Sequence, residues 1–207
     1  MKQDAITTII DRARRDNDYY VLLIGSICIA IGAIFTDSIA VLIASMIIAP
    51  LASPILALGF GIAVGSKKLV LRASIMLMYS CVIALAIAAI VTLLFGKDRT
   101  ADRYITFNSN HIIAVSVAVV SGIIAAYGTV KPKVSGAITG VAIAVSLMPP
   151  LVAVGINFTA GDTSQGYEAG LLFLLNVVGI LLASIITYTC FRMRQEYRTY
   201  NEKQQTD

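Results

Sequence analysis

The chain has 207 residues, of which 57% are hydrophobic and 14% charged, with a mean hydropathy of +0.83 and a formal net charge of +4. Soluble domains carry roughly 25% charged residues, so this composition excludes an ordinary soluble domain. The positive charge flanks long apolar blocks instead of forming the basic face that nucleic-acid binding requires, so no nucleic-acid partner is expected.

The first residues, MKQDAITTIIDRARRDNDYY, hold no continuous apolar run, so a signal peptide is not expected. Ile6, Ile9, Ile10 and Ala13 recur at helical spacing. They predict a short amphipathic helix on the membrane surface within a cytoplasmic segment 1–18, a solvated tail being the alternative. Six apolar blocks follow, at 19–35, 38–65, 69–95, 111–128, 134–158 and 168–191. Each approaches or exceeds the roughly 20 residues that a span needs. The expectation is an all-α polytopic membrane protein with six transmembrane helices over 19–191 and a cytoplasmic tail over 192–207.

If all six blocks cross, the 16 Lys and Arg divide as 13 on the side holding both termini and 3 (Lys97, Arg99 and Arg103) on the other. The positive-inside rule then puts both termini in the cytoplasm, which for a prokaryotic chain implies the inner membrane. If the second and fifth blocks are re-entrant hairpins, Lys67, Lys68, Arg72, Lys131 and Lys133 move outside and the split becomes 11 against 5. Charge bias favours full crossing and leaves the hairpin open.

The second block, SIAVLIASMIIAPLASPILALGFGIAVG, would run about 42 Å as one straight helix, against a hydrocarbon core of about 30 Å. It carries Pro50 and Pro54, and the fifth block carries Pro149 and Pro150. Proline removes an amide donor and crowds the preceding turn. A helix broken at each pair is therefore expected, freeing carbonyls such as those of Met46, Pro50, Val145 and Ser146. In lipid such groups are tolerated only inside protein or along a wet cavity. An ordinary proline kink is the simpler alternative.

Both proline blocks sit second in a triplet, 19–95 and 111–191. PILALG (54–59) lies on PLVAVG (150–155), and VLIASMIIAPL (41–51) on VAIAVSLMPPL (141–151) with five identities in eleven. Three crossings per triplet would make the repeats inverted, and inverted repeats with discontinuous helices in matching places are a transporter pattern. Ala40 with Ala44, Gly61 with Gly65, and Gly136 with Gly140 have the small-xxx-small spacing of close helix contacts. They suggest that the two broken helices cross in the core, that the bundle packs in the ordinary way, or that it joins another copy.

No ionisable residue falls near the middle of a block, which argues against a buried carboxylate relay and against acid/base catalysis. HExxH, GxGD, Ser–His and phosphate-loop patterns are missing from the sequence, so neither an enzyme nor a cofactor is expected. His111 begins the fourth block, and Cys28, Cys81 and Cys190 are scattered, so no metal site is expected. The candidate binding residues are neutral: Pro50, Ser53, Pro54, Ser146, Pro149, Pro150 and Asn176, followed by Ser45, Asn157 and the turn residue Asp37. Half-helix N-termini favour anions and freed carbonyls favour cations. Without a core carboxylate the balance leans to an anion or a neutral polar solute.

SIAVLIASMIIAPLASPILALGFGIAVG (38–65), GVAIAVSLMPPLVAVGI (140–156) and FLLNVVGI (173–180) together resemble the prokaryotic uncharacterised hydrophobic domain family, domain of unknown function 389. The resemblance covers about residues 17–191 and implies fold and membrane location more than activity. Members of that family commonly look to carry an additional soluble N-terminal domain, for which the residues before the first span here are too few. Two functions remain. One is a small transporter or channel whose site lies where two proline-broken helices meet. The other is a non-transporting scaffold or sensor whose terminal segments engage lipid or a cytoplasmic partner. A homo-oligomer fits either.

Overall fold

The computed structural model describes the backbone of residues 2–12, 16–95, 111–131 and 136–206, and the side chains of 5–11, 16–95, 111–131, 147–200 and 202. Among the described residues there are nine helices and no strand. They are α1 (Lys2–Arg12), α2 (Asn17–Phe35), α3 (Ile39–Ile48), α4 (Ala52–Val64), α5 (Lys67–Phe95), α6 (His111–Val130), α7 (Gly136–Ala160), α8 (Thr163–Cys190) and α9 (Met193–Thr206).

Four of these, α2, α5, α6 and α8, are long and apolar enough to cross a membrane, and α3 with α4 passes the same test as one span bent by 46°. The apolar part of α7 with described side chains runs over Leu147–Ala160. Large apolar side chains stand exposed along the spans, among them Val21, Leu71, Val82, Ile112, Leu174 and Ile186. In water such a surface would drive aggregation; in a bilayer it is the lipid-facing side. The chain is a multi-pass helical membrane protein.

Tight turns join the helices locally. The end of α2 is closed by Asp37 at φ 53°, with Ser38 N–H on the Ala33 carbonyl at 2.9 Å. Ser38 then caps α3 by accepting the Val41 amide at 3.4 Å. Gly65, at φ 77°, ends α4 with the Ser66 amide on the Gly61 carbonyl at 2.9 Å, a geometry that strongly favours glycine. Asp162 caps α8 by accepting the Gln165 amide at 3.0 Å.

The two proline pairs behave differently. At the first, Ala49 is forced out of the helical region to φ −62°, ψ 122°, because the ring of Pro50 crowds the residue before it. Helix α3 stops and α4 restarts at Ala52. Pro54, third in α4, is harmless because a first-turn amide has no acceptor inside the helix. The second pair does not break its helix, contrary to the sequence expectation: α7 runs unbroken through Pro149 and Pro150. The physical difference is the surroundings. Around Pro149 and Pro150, Leu147, Met148, Leu151 and Val152 are buried, and α7 packs on α5, α6 and α8. Before Pro50, Ile47 and Ile48 are 58% and 38% exposed, so less packing resists the break there.

Glycine and serine set how closely the helices meet. A Cβ on Gly59 of α4 would collide with the hydroxyl of Ser184 in α8. One on Gly122 of α6 would lie 2.8 Å from the Ile180 backbone, and one on Gly155 of α7 would lie 2.6 Å from the Ala88 methyl of α5. Ala40 and Ala44 take no part in this core; both are exposed on α3. Hydroxyl pairs also link helices. Ser80 donates to the Met76 carbonyl, so Tyr19 is the donor in its 2.7 Å bond to Ser80. Thr129 donates to Ala126, so Tyr188 is the donor in its 2.9 Å bond to Thr129.

Helix α1 forms, but its apolar residues are taken up by the protein. Ala5, Ile6 and Ile9 are at most 3% exposed, and α1 packs on α4, α6 and α9. Ala13 lies outside the described residues. The C-terminal segment folds as α9 and returns onto α4, where Tyr197 stacks edge-on against Phe60.

Gly122→Ala is expected to destabilise the protein by about 1–3 kcal/mol, since its neighbour is backbone that no rotamer change can move. Gly25→Ala, with nothing within 4 Å of the new methyl, is expected to be neutral or stabilising. Thermal unfolding in detergent compares the two, and equal melting temperatures would refute the close α6–α8 contact.

Candidate functional site

The site is built outward from the break between α3 and α4. Its two turn bonds are Ala49 N–H to Ser45 C=O and Ser53 N–H to Pro50 C=O, each 3.1 Å. The second satisfies the Pro50 carbonyl that the ring of Pro54 would otherwise leave free. Among the described residues, no turn amide reaches the carbonyls of Met46, Ile47 or Ile48. Helix α4, with Leu51 at its N-cap position, has no side-chain cap, and because Ser53 N–H is spent on Pro50 and Pro54 has no amide hydrogen, the amides left without a side-chain acceptor there are those of Leu51 and Ala52. Leu51 and Ala52 are buried, and Pro50 and Ser53 are half-buried. The break therefore presents carbonyl dipoles from one half-helix and amide dipoles from the other at one place.

Of the other candidates, Ser45 is buried and spends its hydroxyl on the Leu42 carbonyl of its own helix at 2.6 Å, so it offers no proton. Pro54, Pro149 and Pro150 are buried. The side chain of Ser146 lies outside the described residues, as do those of Gly136 and Gly140. Asn176 is 4% exposed, halfway along α8.

Helix registers bring three of these residues to one depth. Gly166 of α8 meets Phe158 of α7, and Gly170 meets Val154. Continued along the antiparallel pair, that register sets Asn176 level with Met148 and Pro149. Gly59 of α4 meets Ser184, and Phe60 stacks on Tyr188, so α4 and α8 run parallel. Stepping back along both to Ala52, where α4 begins, reaches about Val177, so the break that holds Pro50 lies near Asn176. Helix α7 also packs on both α3 and α4.

Asn157 and Asp37 do not join this level. Asn157 is about two helical turns away, near the α7–α8 turn. It is 1% exposed, and its Nδ2 has no acceptor among the described residues. Asp37 is exposed in the α2–α3 turn, where its backbone does the work. Sequence reasoning missed one pairing: His111 Nε2 lies 3.6 Å from Glu168 Oε2, joining the starts of α6 and α8. The only available signal was that each residue opens an apolar block. No group of three or more His, Cys, Asp or Glu capable of holding a metal occurs among the described residues.

These features define a polytopic helical membrane protein whose polar core is made of neutral side chains and backbone. Residues 46–182 match the family described as Domain of unknown function (DUF389), and the chain belongs to that family. It is similar to the uncharacterized protein MJ0678 of Methanocaldococcus jannaschii, at 30% identity over 208 residues, 99% of this chain and 63% of the relative. The chain thus spans less than two thirds of that relative's length. No solved structure matches it.

Disulfide trapping tests the register. In a chain lacking Cys28, Cys81 and Cys190, G59C with S184C is expected to cross-link on mild oxidation, while G59C with N176C is expected not to. Reversed yields would remove Asn176 from the level of Pro50.

Proposed function

We propose that this protein is a small transporter or channel, not an enzyme, that passes an ion or small polar solute through the level of Pro50, Asn176 and Pro149. The single observation carrying this reading is that shared depth: a helix break with unpaired backbone dipoles, a buried asparagine and a second proline pair at one height. Buried polar backbone in a membrane protein is tolerated where it lines a cavity or is covered by protein. The proposed solute is an anion or a neutral polar molecule, because the uncapped start of α4 leaves the Leu51 and Ala52 amides without side-chain acceptors and no carboxylate lies at this level among the described residues.

We further propose six spans arranged as two inverted repeats, α2 to α5 and α6 to α8, with both termini in the cytoplasm of a prokaryotic cell. The helix lengths support it: 19 and 20 residues for the first members, 29 and 28 for the third. So does the packing, since the third helix of each triplet lies on the middle helix of the other: α5 on α7, and α8 on α4. Tyr19 with Ser80, and Thr129 with Tyr188, tie the first helix to the third in each triplet. The exposed pair Ala40 and Ala44 suits a contact between copies in a homo-oligomer. The alternative reading, a scaffold or sensor that works through its terminal helices, is less favoured because the apolar face of α1 is already engaged by α4, α6 and α9.

Single cysteines at Ser53, Ser146 and Asn176 in a cysteine-free background test the proposal. Labelling by a small water-soluble thiol reagent in membranes is expected at Ser53 and Asn176. Silence at all three positions, with loop controls reacting, would sink it. Pro149→Ala separates function from stability. Restoring one amide inside continuous α7 is expected to stabilise the fold by up to about 3 kcal/mol. In a flux assay the same variant is expected to lose activity.

A further inference from the structure

A second polar place lies far from the proline level, at the start of α5. A cavity of about 190 Å³ is lined there by Ile10, Ser66, Lys68, Leu69, Arg72, Tyr197 and Tyr200. This is several times the roughly 30 Å³ that a water occupies in the liquid. It brings together three elements that are distant in sequence: α1, the head of α5, and α9.

Its chemistry has one sign. Lys68 and Arg72 are four residues apart, hence on one face of α5. Both are exposed, and no carboxylate belongs to the lining. Ser66 caps α5, and its oxygen accepts twice: from the Leu69 amide at 3.4 Å and from the Tyr197 hydroxyl at 3.3 Å. Its acceptor capacity is therefore used, and its own proton has no acceptor among the described residues. Leu69 and Val70 amides already bond the Ser66 carbonyl, at 3.1 and 3.0 Å, which leaves those of Lys67 and Lys68 as the open donors of this helix end. Two cationic side chains, a hydroxyl donor and a helix N-terminus thus border one concavity that has apolar walls in Ile10 and Leu69.

Depth says what reaches it. Helix α5 has 29 residues, about 43 Å, against a hydrocarbon core of about 30 Å. Its first turns therefore extend to the headgroup layer, where tyrosines such as Tyr197 and Tyr200 also settle. Arginine matches phosphate oxygens with two parallel N–H donors, and lysine adds a point charge.

We propose that this cavity is a phosphate-binding site, filled by the headgroup phosphate of an anionic phospholipid or by a soluble phosphate. The site uses none of the residues at the proline level, so it stands or falls separately from the transport reading.

The test uses the full chain in neutral detergent, with thermal unfolding followed after addition of phosphatidylglycerol, phosphatidylcholine or inorganic phosphate. Phosphatidylglycerol is expected to raise the melting temperature over phosphatidylcholine by about 5 °C. The double variant K68Q/R72Q is expected to lose that gain. The charge-matched control K131Q/R192Q, whose residues lie outside the cavity, is expected to keep it. A gain with phosphatidylglycerol alone assigns the lipid headgroup; an equal gain with inorganic phosphate assigns the soluble anion. No gain with either, or a gain lost equally in both double variants, overturns the site and leaves only diffuse surface charge. Because a general loss of stability would lower the starting temperature without changing the ligand-dependent shift, the shift itself is the readout.

Discussion

Every part of this structure answers to one constraint: a backbone amide or carbonyl in hydrocarbon has no water to turn to. Leaving such a group unpaired costs several kcal/mol, which is why the described spans are helices. Proline challenges that rule by deleting a donor, and the two proline pairs show two responses. At Pro149 and Pro150 the packing of α5, α6 and α8 around α7 keeps the helix continuous although the carbonyls of Val145 and Ser146 lose the amides that would otherwise pair with them. At Pro50 the same chemistry breaks the helix, because α3 is exposed on much of its surface and little opposes the turn at Ala49.

Helix α8 is the ruler of the bundle. Its small residues face three partners: Ser184 meets α4, Gly179 meets Ala118 of α6, and Gly166 meets Phe158 of α7. Apolar side chains gain little from leaving lipid for one another, so close van der Waals contact through small residues supplies much of the association. Such contacts are short-ranged and fix register, since a slip of one residue would drive a side chain into backbone. The common depth of Pro50, Asn176 and Pro149 is thus a consequence of where glycine and serine fall on α8.

Much of this was legible in the sequence. Apolar block lengths gave the positions of the long helices, because a bilayer imposes a length on whatever crosses it. Pro50 announced its break, since the restriction on Ala49 is local. The continuity of α7 was not legible, because Pro149 and Pro150 carry the same local signal and only tertiary packing distinguishes them. The fate of α1 was hidden for a related reason: an apolar stripe of Ile6 and Ile9 reads the same whether lipid or protein covers it. The cavity at the head of α5 escaped because Ile10, Lys68 and Tyr197 are brought together only by folding. Lys68 and Arg72 in sequence look like any basic loop at a membrane face.

The two polar places differ in kind, and the solvent around them explains how. Transferring a formal charge into low-dielectric surroundings is far more expensive than burying a dipole, even after relaxation. At the proline level, deep in the bundle, the chain offers amides, carbonyls and the neutral side chains of Ser53 and Asn176. At the head of α5, where headgroups and water reach, it offers Lys68 and Arg72. A chain that excludes ionised residues from its core has little left with which to make that core polar. Breaking a helix is the cheapest source of strong, oriented dipoles available to it, and Pro50 is the residue that makes the break.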